Sequence, residues 1–425
     1  MQIRKYGRLL SIIALGFAAT ATLLGQAPVG LILPYSSESP HPYPVGGPER
    51  SIVWQETVIS PGAKFLRVHF VGLSLAPGDY LTLSNADGLQ SSTYTGRGPH
   101  ENGDLFAVAV DGDKAVIAIH GGPVADYGYR IDRVGHGDVA LGDTNLNQWE
   151  GSAPNPDECP DGDPRENVAC RFNDPVFVAG ERPVALLIFD RSTDPPLNNG
   201  DIGVMAKCTG WLINSIAPNM LITANHCIST DYQVSTLQAT FNVQRHDCVG
   251  GPMEPRYESL GVALIRGSPP GILDYTLLTV AHGINAQWPL DPDSTWGVVT
   301  PTTEPVEAGD QGLRIWIPQH PFRAYLPFDN AVKVVGWFEI PTNDLRCRIR
   351  SASGTTLGYH CPTSGGSSGS PVEDSTTGHT VALHTQGNKG GLPLGCPTWF
   401  NWGSAFGGAH GICADAGGLI NCAEN

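Results

Sequence analysis

The sequence predicts an all-β chain in two units, a small antiparallel β-sandwich followed by a larger β-barrel region. Three observations predict it. Glycine (52) and proline (35) are abundant in 425 residues, which suggests turn-rich β structure more than helix bundles. Short β-branched runs recur along the chain, broken by turn residues. All ten cysteines lie after residue 158, so the two parts are built by different rules. The length suggests two or three domains, and the 41% apolar fraction is enough for real cores. A formal net charge of −16 argues against nucleic acid as a partner, because that ligand demands a basic surface.

Residues 1–27 read as a secretory signal peptide. Arg4, Lys5 and Arg8 precede an apolar stretch from Leu9 to about Leu24, and Ala19, Ala21, Gly25 and Ala27 offer cleavage sites. The competing reading is a membrane anchor. The apolar stretch is a little short for a span and is diluted by Ala, Thr and Gly, so a soluble, secreted, extracellular protein is expected, with no membrane partner. An even cysteine count in an exported chain implies up to five disulfides.

Residues 28–50 are rich in Pro, Ser and Gly and read as a linker. Residues 51–137 carry alternating runs and read as the sandwich, a pre- or pro-domain. Phe65 to Phe70 places Leu66, Val68 and Phe70 on one face, and Asp111-Gly112 between Leu105–Val110 and Lys114–His120 is a hairpin signal. Tyr80 to Leu83 and Tyr129 to Val134 are further candidate strands. Residues 138–175 are polar and acidic and read as a connector, in which Cys159 and Cys170 could close a local loop. Candidate strands resume at about 176 and continue to the C-terminus. They include Val184 to Phe189, Cys208 to Ile213, Leu237 to Val243, Gly312 to Ile317 and Ala331 to Phe338.

Three segments carry chemistry, in the order His, Asp, Ser. They are Thr223-Ala224-Asn225-His226-Cys227, Asp274-Tyr275-Thr276-Leu277-Leu278 and Gly366-Ser367-Ser368-Gly369-Ser370-Pro371. A serine hydroxyl is a weak nucleophile and needs a base, which imidazole supplies near neutral pH. The base needs an acceptor on its other nitrogen, and a carboxylate among apolar neighbours provides one. Glycines beside Ser368 allow a tight turn whose N–H groups, those of Gly366 and Ser368, face a developing oxyanion. Cys208 stands 227 − 208 = 19 residues before Cys227, and a disulfide between them would pin the histidine loop.

These segments resemble the trypsin/chymotrypsin superfamily: Thr-Ala-x-His-Cys, Asp-x-x-Leu-Leu and Gly-x-Ser-Gly-x-Pro. The spacings, 274 − 226 = 48 and 368 − 274 = 94, fit one β-barrel per interval. Within the superfamily the chain resembles bacterial-type lysyl and glutamyl endopeptidases, through Gly366-Ser367-Ser368-Gly369-Ser370-Pro371-Val372, Pro318-Gln319-His320-Pro321 and Val381-Ala382-Leu383-His384. Residues 131–137 resemble part of the β-sandwich that precedes such proteases in their precursors. The resemblance covers residues 176–400 and implies a chymotrypsin-like double β-barrel over 176–425, with His226, Asp274 and Ser368 as catalytic triad. The implied partners are polypeptide substrates of a monomeric serine endopeptidase without cofactor.

There are departures. Ser367 stands where animal digestive enzymes carry aspartate, and no Ile-Val-Gly-Gly-like start is present, which argues against activation by insertion of a new N-terminus. His384-Thr385-Gln386-Gly387 replaces the usual Ser-Trp-Gly segment. In glutamyl endopeptidases a Thr or Ser five residues before the nucleophile and a later histidine line the P1 pocket, positions matched by Thr363 and His384. Lysyl endopeptidases need an acidic residue in that pocket, and none lies between His384 and Cys413. An acidic or uncharged P1 residue is expected, against the alternative that Thr363 and His384 only shape the wall. His320 and His360 read as local structure, and no His-Glu-x-x-His or paired Cys-x-x-Cys motif suggests a metal. The competing function is a non-catalytic binding or adhesion protein on the same fold.

Overall fold

The computed structural model describes residues 26–138, 168–171, 173, 175–195, 201–247, 250–281, 291–310, 312–321, 347–387 and 398–424. The N-terminal unit is a sandwich of two antiparallel sheets. One sheet runs in the order Ile52–Ile59, Lys114–His120, Tyr80–Asn85, Ser91–Thr95. The other contains Ala27–Glu38, Gly128–Gly137 and Phe65–Ser74, with Leu105–Phe106 and Val110–Asp111 at its edge. Leu66, Val68 and Phe70 meet Leu81, Leu83, Ile117 and Ile119 between the sheets, as period-2 alternation requires.

Two six-stranded units follow. The first is closed: Val184–Asp190, Gln238–Phe241, Tyr257–Ser268, Tyr275–Val280, Met220–Ala224 and Gly203–Leu212 pair in that order, and the last pairs back onto the first. The second runs Ile315–Trp316, Pro371–Asp374, Thr380–Gly387, Thr398–Ala405, Thr356–Thr363, Arg348–Ser353. A single bridge, Arg314 to Arg348, joins its two ends. The arrangement is a chymotrypsin-like double β-barrel. Trp211, Ile222 and Tyr275 of the first barrel pack with Leu383 of the second and with Phe406 and Ile412 near the C-terminus. The expected strand at Ala331 to Phe338 lies outside the described residues, as do residues 1–25 and most of the acidic connector.

Two expectations are corrected. Residues 28–38 are no linker: Ala27–Glu38 is a strand paired on both sides, with Gly128–Gly137 and with Gly203–Leu212. Two of the prolines behind that reading, Pro28 and Pro34, sit at the strand's register shifts, Pro28/Gly30 and Pro34/Ser37, where a missing N–H is tolerated. Asp111-Gly112 is a turn, with Gly112 at φ +94°, but its flanks form no hairpin. Val110–Asp111 joins one sheet of the sandwich and Lys114–His120 the other, because Val110 and Ala115 both bury against the core between them.

The shared strand merges sandwich and first barrel into one eleven-stranded sheet. Alternation places Arg67 and His69 opposite the sandwich core, yet both are buried, because the barrel covers that face. Phe65, Phe106, Val29 and Ile32 pack there against Ile188 and Met205 of the barrel. Gln238 Oε1 accepts the Ala109 N–H at 2.8 Å, and Arg256 pairs with Asp111 at 2.8 Å.

Candidate active site

Strand Met220–Ala224 pairs with strand Tyr275–Val280 so that Ala224 opposes Tyr275. His226 lies two residues past Ala224 and Asp274 one residue before Tyr275, at the same end of this antiparallel ladder, which brings them together. Asp274 adopts φ +46°, a left-handed conformation that Asp tolerates better than most residues. Its carboxylate grips His226 twice: Oδ1 accepts the backbone N–H at 2.8 Å and Oδ2 meets Nδ1 at 2.7 Å. With Nδ1–H donated there, Nε2 is left as the basic nitrogen. Nε2 is buried and has no hydrogen-bond partner among the described residues, so the base is unspent. The Asn225 N–H donates to the Asp274 carbonyl at 3.1 Å.

The Cys208–Cys227 disulfide forms, with S–S 2.02 Å, and closes the loop that carries the histidine. On chain-entropy grounds a loop of this size gains about 3 kcal/mol. Among the described residues Cys347–Cys361 and Cys413–Cys422 are also bonded. Gln26, which falls within the stretch read as signal peptide, donates Nε2–H to the carbonyls of His226 (2.5 Å) and Cys227 (3.2 Å).

Ser368 sits in the turn between strands Thr356–Thr363 and Pro371–Asp374. Gly366 and Gly369 hold φ +89° and +88°. A Cβ at Gly369 would lie 2.1 Å from the Thr209 carbonyl and 2.4 Å from Thr223 Oγ1, so only glycine fits. Thr209 of the first barrel receives the turn: its N–H donates to the Ser368 carbonyl at 2.9 Å and its hydroxyl to the Gly366 carbonyl at 2.8 Å. The Cys227 sulfur lies 3.9 Å from the Ser368 carbonyl, which sets the serine beside the histidine loop. The N–H groups of Ser367, Gly369 and Ser370 are bonded to Ser364, His384 and Ser367 carbonyls. Among the described residues those of Gly366 and Ser368 make no such bond, the arrangement an oxyanion needs.

Residues 166–297 match the family model described as lysyl endopeptidase, C-terminal domain. Over that stretch the chain is similar to the lysyl endopeptidases. It is also similar to the secreted RxLR effector protein 73 of Plasmopara viticola, 25% identical over 361 residues that span 79% of this chain and 76% of that one. Similar solved structures include a Glu endopeptidase in complex with MPD (18% identity, 60% of this chain and 94% of the other, TM-score 0.37). Another is the protease Anisep from Arthrobacter nicotinovorans (15% identity, 57% and 94%, TM-score 0.35).

The family match covers the first barrel and stops short of the residues expected to line P1. Both of those are buried. Thr363 donates its hydroxyl to Asn401 Oδ1 at 2.9 Å. The Asn401 amide is oriented by Nδ2, which donates to the Cys361 carbonyl, so this Thr363 proton is committed to the wall. His384 Nδ1 lies 2.7 Å from the Tyr359 hydroxyl. Burial, and secondarily the neighbouring His226, pushes the His384 pKa down to about 3. Burial also holds the Tyr359 pKa well above the phenol value, so both rings are neutral. Tyr359, Asn401 and Gln26 carry no signal in the sequence, whereas Thr209 stands in the Cys208-Thr209-Gly210-Trp211-Leu212 run that leads into the histidine segment, with no role assigned to it there. His320 is buried and its backbone N–H donates to Thr209 Oγ1 at 3.0 Å, while His360 stands edge-on to Phe400. Among the described residues no three His, Cys, Asp or Glu side chains gather as a metal site.

Proposed function

We propose that the chain is a secreted serine endopeptidase with His226, Asp274 and Ser368 as triad. The observation that carries this reading is the double grip of Asp274 on His226, which leaves Nε2 basic beside the Ser368 turn. Ser368 Oγ attacks the peptide carbonyl as His226 Nε2 takes its proton. The proton then passes to the leaving amine, and water repeats the cycle on the acyl-enzyme. The Gly366 and Ser368 N–H groups hold the oxyanion, and each such donor is worth on the order of 3 kcal/mol. The hydrogen bond between Ser368 Oγ and His226 Nε2 forms when substrate binds, as catalytic hydrogen bonds often do. Three disulfides among the described residues and the effector relative's secretion support an extracellular location.

For P1, an acidic residue fits best, through His384. A Tyr359 hydroxyl donating to Nδ1 leaves Nε2–H as a donor for a carboxylate. Thr363 supports that wall, its hydroxyl being given to Asn401. The test is Ser368→Ala, which is expected to abolish hydrolysis and labelling by a serine-directed phosphonate with folding unchanged. Persistent labelling of that variant would falsify the assignment. A second reading, a non-catalytic binding or adhesion protein on this fold, is compatible with the similarity to a protein named as a secreted effector. A well-folded chain that cleaves nothing in a broad peptide library would establish it.

A further inference from the structure

We infer that Gln319 is a positioning residue for the nucleophile turn, acting through Ser367, and that this pair fixes the turn without a newly exposed chain terminus. The inference rests on the serine-protease reading above. Ser367 directly precedes the nucleophile and is fully buried, and Gln319 is 1% exposed. The Ser367 hydroxyl donates to Gln319 Oε1 at 2.5 Å and accepts the Ser364 N–H at 3.2 Å. The Ser367 N–H donates to the Ser364 carbonyl at 3.0 Å, so the turn is closed twice and then tied to the Pro318–Pro321 stretch.

The residue next to Gln319 reaches the same turn by a second route. The His320 N–H donates to Thr209 Oγ1 at 3.0 Å, and that hydroxyl donates onward to the Gly366 carbonyl at 2.8 Å. The peptide between Gly366 and Ser367 is therefore held at both ends, its carbonyl by Thr209 and its N–H by Ser364. Lys207 anchors the stretch itself, donating Nζ–H to the Pro321 carbonyl at 2.9 Å. This holds in a chain whose strand Ala27–Glu38 pairs with strand Gly203–Leu212 of the first barrel. A neutral hydroxyl–amide pair buries no charge, so it needs no counter-ion brought in by chain cleavage.

What the tether secures is the aim of the two unspent N–H groups, those of Gly366 and Ser368. Their aim matters most in the transition state, so its loss lowers kcat while leaving KM nearly constant. Gln319→Ala and Ser367→Ala are each expected to lower kcat about 10- to 100-fold, with phosphonate labelling slowed in proportion and KM within about twofold. The double variant is expected to be no worse than either single one, because both cut the same bond. Gln319→Glu, which burial keeps protonated and which leaves an acceptor oxygen in place, is expected to recover most of the rate. Wild-type chain uncut between residues 138 and 175 is expected to label as fast as trimmed chain. If Gln319→Ala does not fold, Ser367→Ala, which removes one oxygen, carries the test. Wild-type chain that neither turns over nor labels defeats the protease reading itself. Wild-type labelling matched by both alanine variants, additive losses in the double variant, or labelling that requires cleavage overturns the positioning inference alone.

Discussion

Arg67 Nη1 of the sandwich donates to the Thr236 carbonyl of the first barrel at 2.9 Å. Its Nε donates to the Ala107 carbonyl at 3.0 Å, so one guanidinium bridges the two units. Burial pulls its pKa down to about 10, which still leaves it charged at neutral pH. A buried charge of this kind is tolerable only while its acceptors stay in place. On these grounds we propose that the sandwich stays bound to the barrels and does not leave as a pro-domain.

Cleavage in the acidic connector is accordingly expected to leave the two parts together: a nicked chain co-elutes in size exclusion and separates only in denaturant. Arg67→Ala is expected to lower stability by on the order of 3 kcal/mol, because buried carbonyls lose their donor. A nicked sandwich that elutes alone under native conditions contradicts this.

Much of this was legible beforehand, for a physical reason. Leu66, Val68 and Phe70 announce a core face because strand periodicity is local. His226-Cys227, Asp274 and the glycines around Ser368 announce a site because each sits in a local backbone context that the chemistry demands. What local pattern could not carry is pairing between distant segments. Ala27–Glu38 looks like a linker until Gly203–Leu212 is placed beside it, and Arg67 looks solvent-facing until the barrel covers its sheet. The Thr363 hydroxyl reads as a pocket donor until Asn401, 38 residues on, takes its proton.

Gly369→Ala tests the contact between the barrels at the nucleophile. The new Cβ would face the backbone carbonyl of Thr209, which cannot move without shifting strand Gly203–Leu212. Together with the cost of φ +88° for a residue with Cβ, this is expected to displace the turn and abolish phosphonate labelling. The His226–Asp274 bond, followed by the low-field proton resonance of Nδ1–H, is expected to survive. Normal labelling of this variant sinks the idea that the turn's position is set by Thr209.

Glu373 predicts a pH dependence of stability. It is fully buried, neither carboxyl oxygen has a partner among the described residues, and burial pushes its pKa well above 4.5. The fold therefore keeps a proton that the unfolded chain releases above pH 4.5. Stability from this group is present below that pH and is lost as pH rises, at about 1.4 kcal/mol per pH unit while the folded group stays protonated. His320 and His384, both lowered to about 3 by burial, act oppositely: their contribution is present above pH 6.5 and is lost as pH falls from 6.5 toward 3. Glu373→Gln, a neutral mimic, is expected to match wild type in denaturant melts at pH 4 and to exceed it increasingly from pH 5 to 8. Equal stability across that range refutes a protonated Glu373.

His384 gives the sharpest prediction for substrate choice. Its ring stays neutral at working pH, so a P1 carboxylate is met by an N–H dipole and not by an imidazolium. If Tyr359 donates to Nδ1, Nε2 carries that proton; without the hydroxyl the tautomer is unfixed. Tyr359→Phe is therefore expected to lower kcat/KM for substrates with Glu at P1 about 10-fold, the size of one lost polar interaction, and to leave those with uncharged P1 nearly unchanged. His384→Leu is expected to go further and invert the preference toward apolar P1 residues, while reaction with a small unspecific phosphonate continues because His226, Asp274 and Ser368 are untouched. The measurement is a ratio of kcat/KM across a P1 series at fixed pH. If both variants keep the wild-type ratio, His384 only shapes the wall, and P1 choice must be assigned to other side chains.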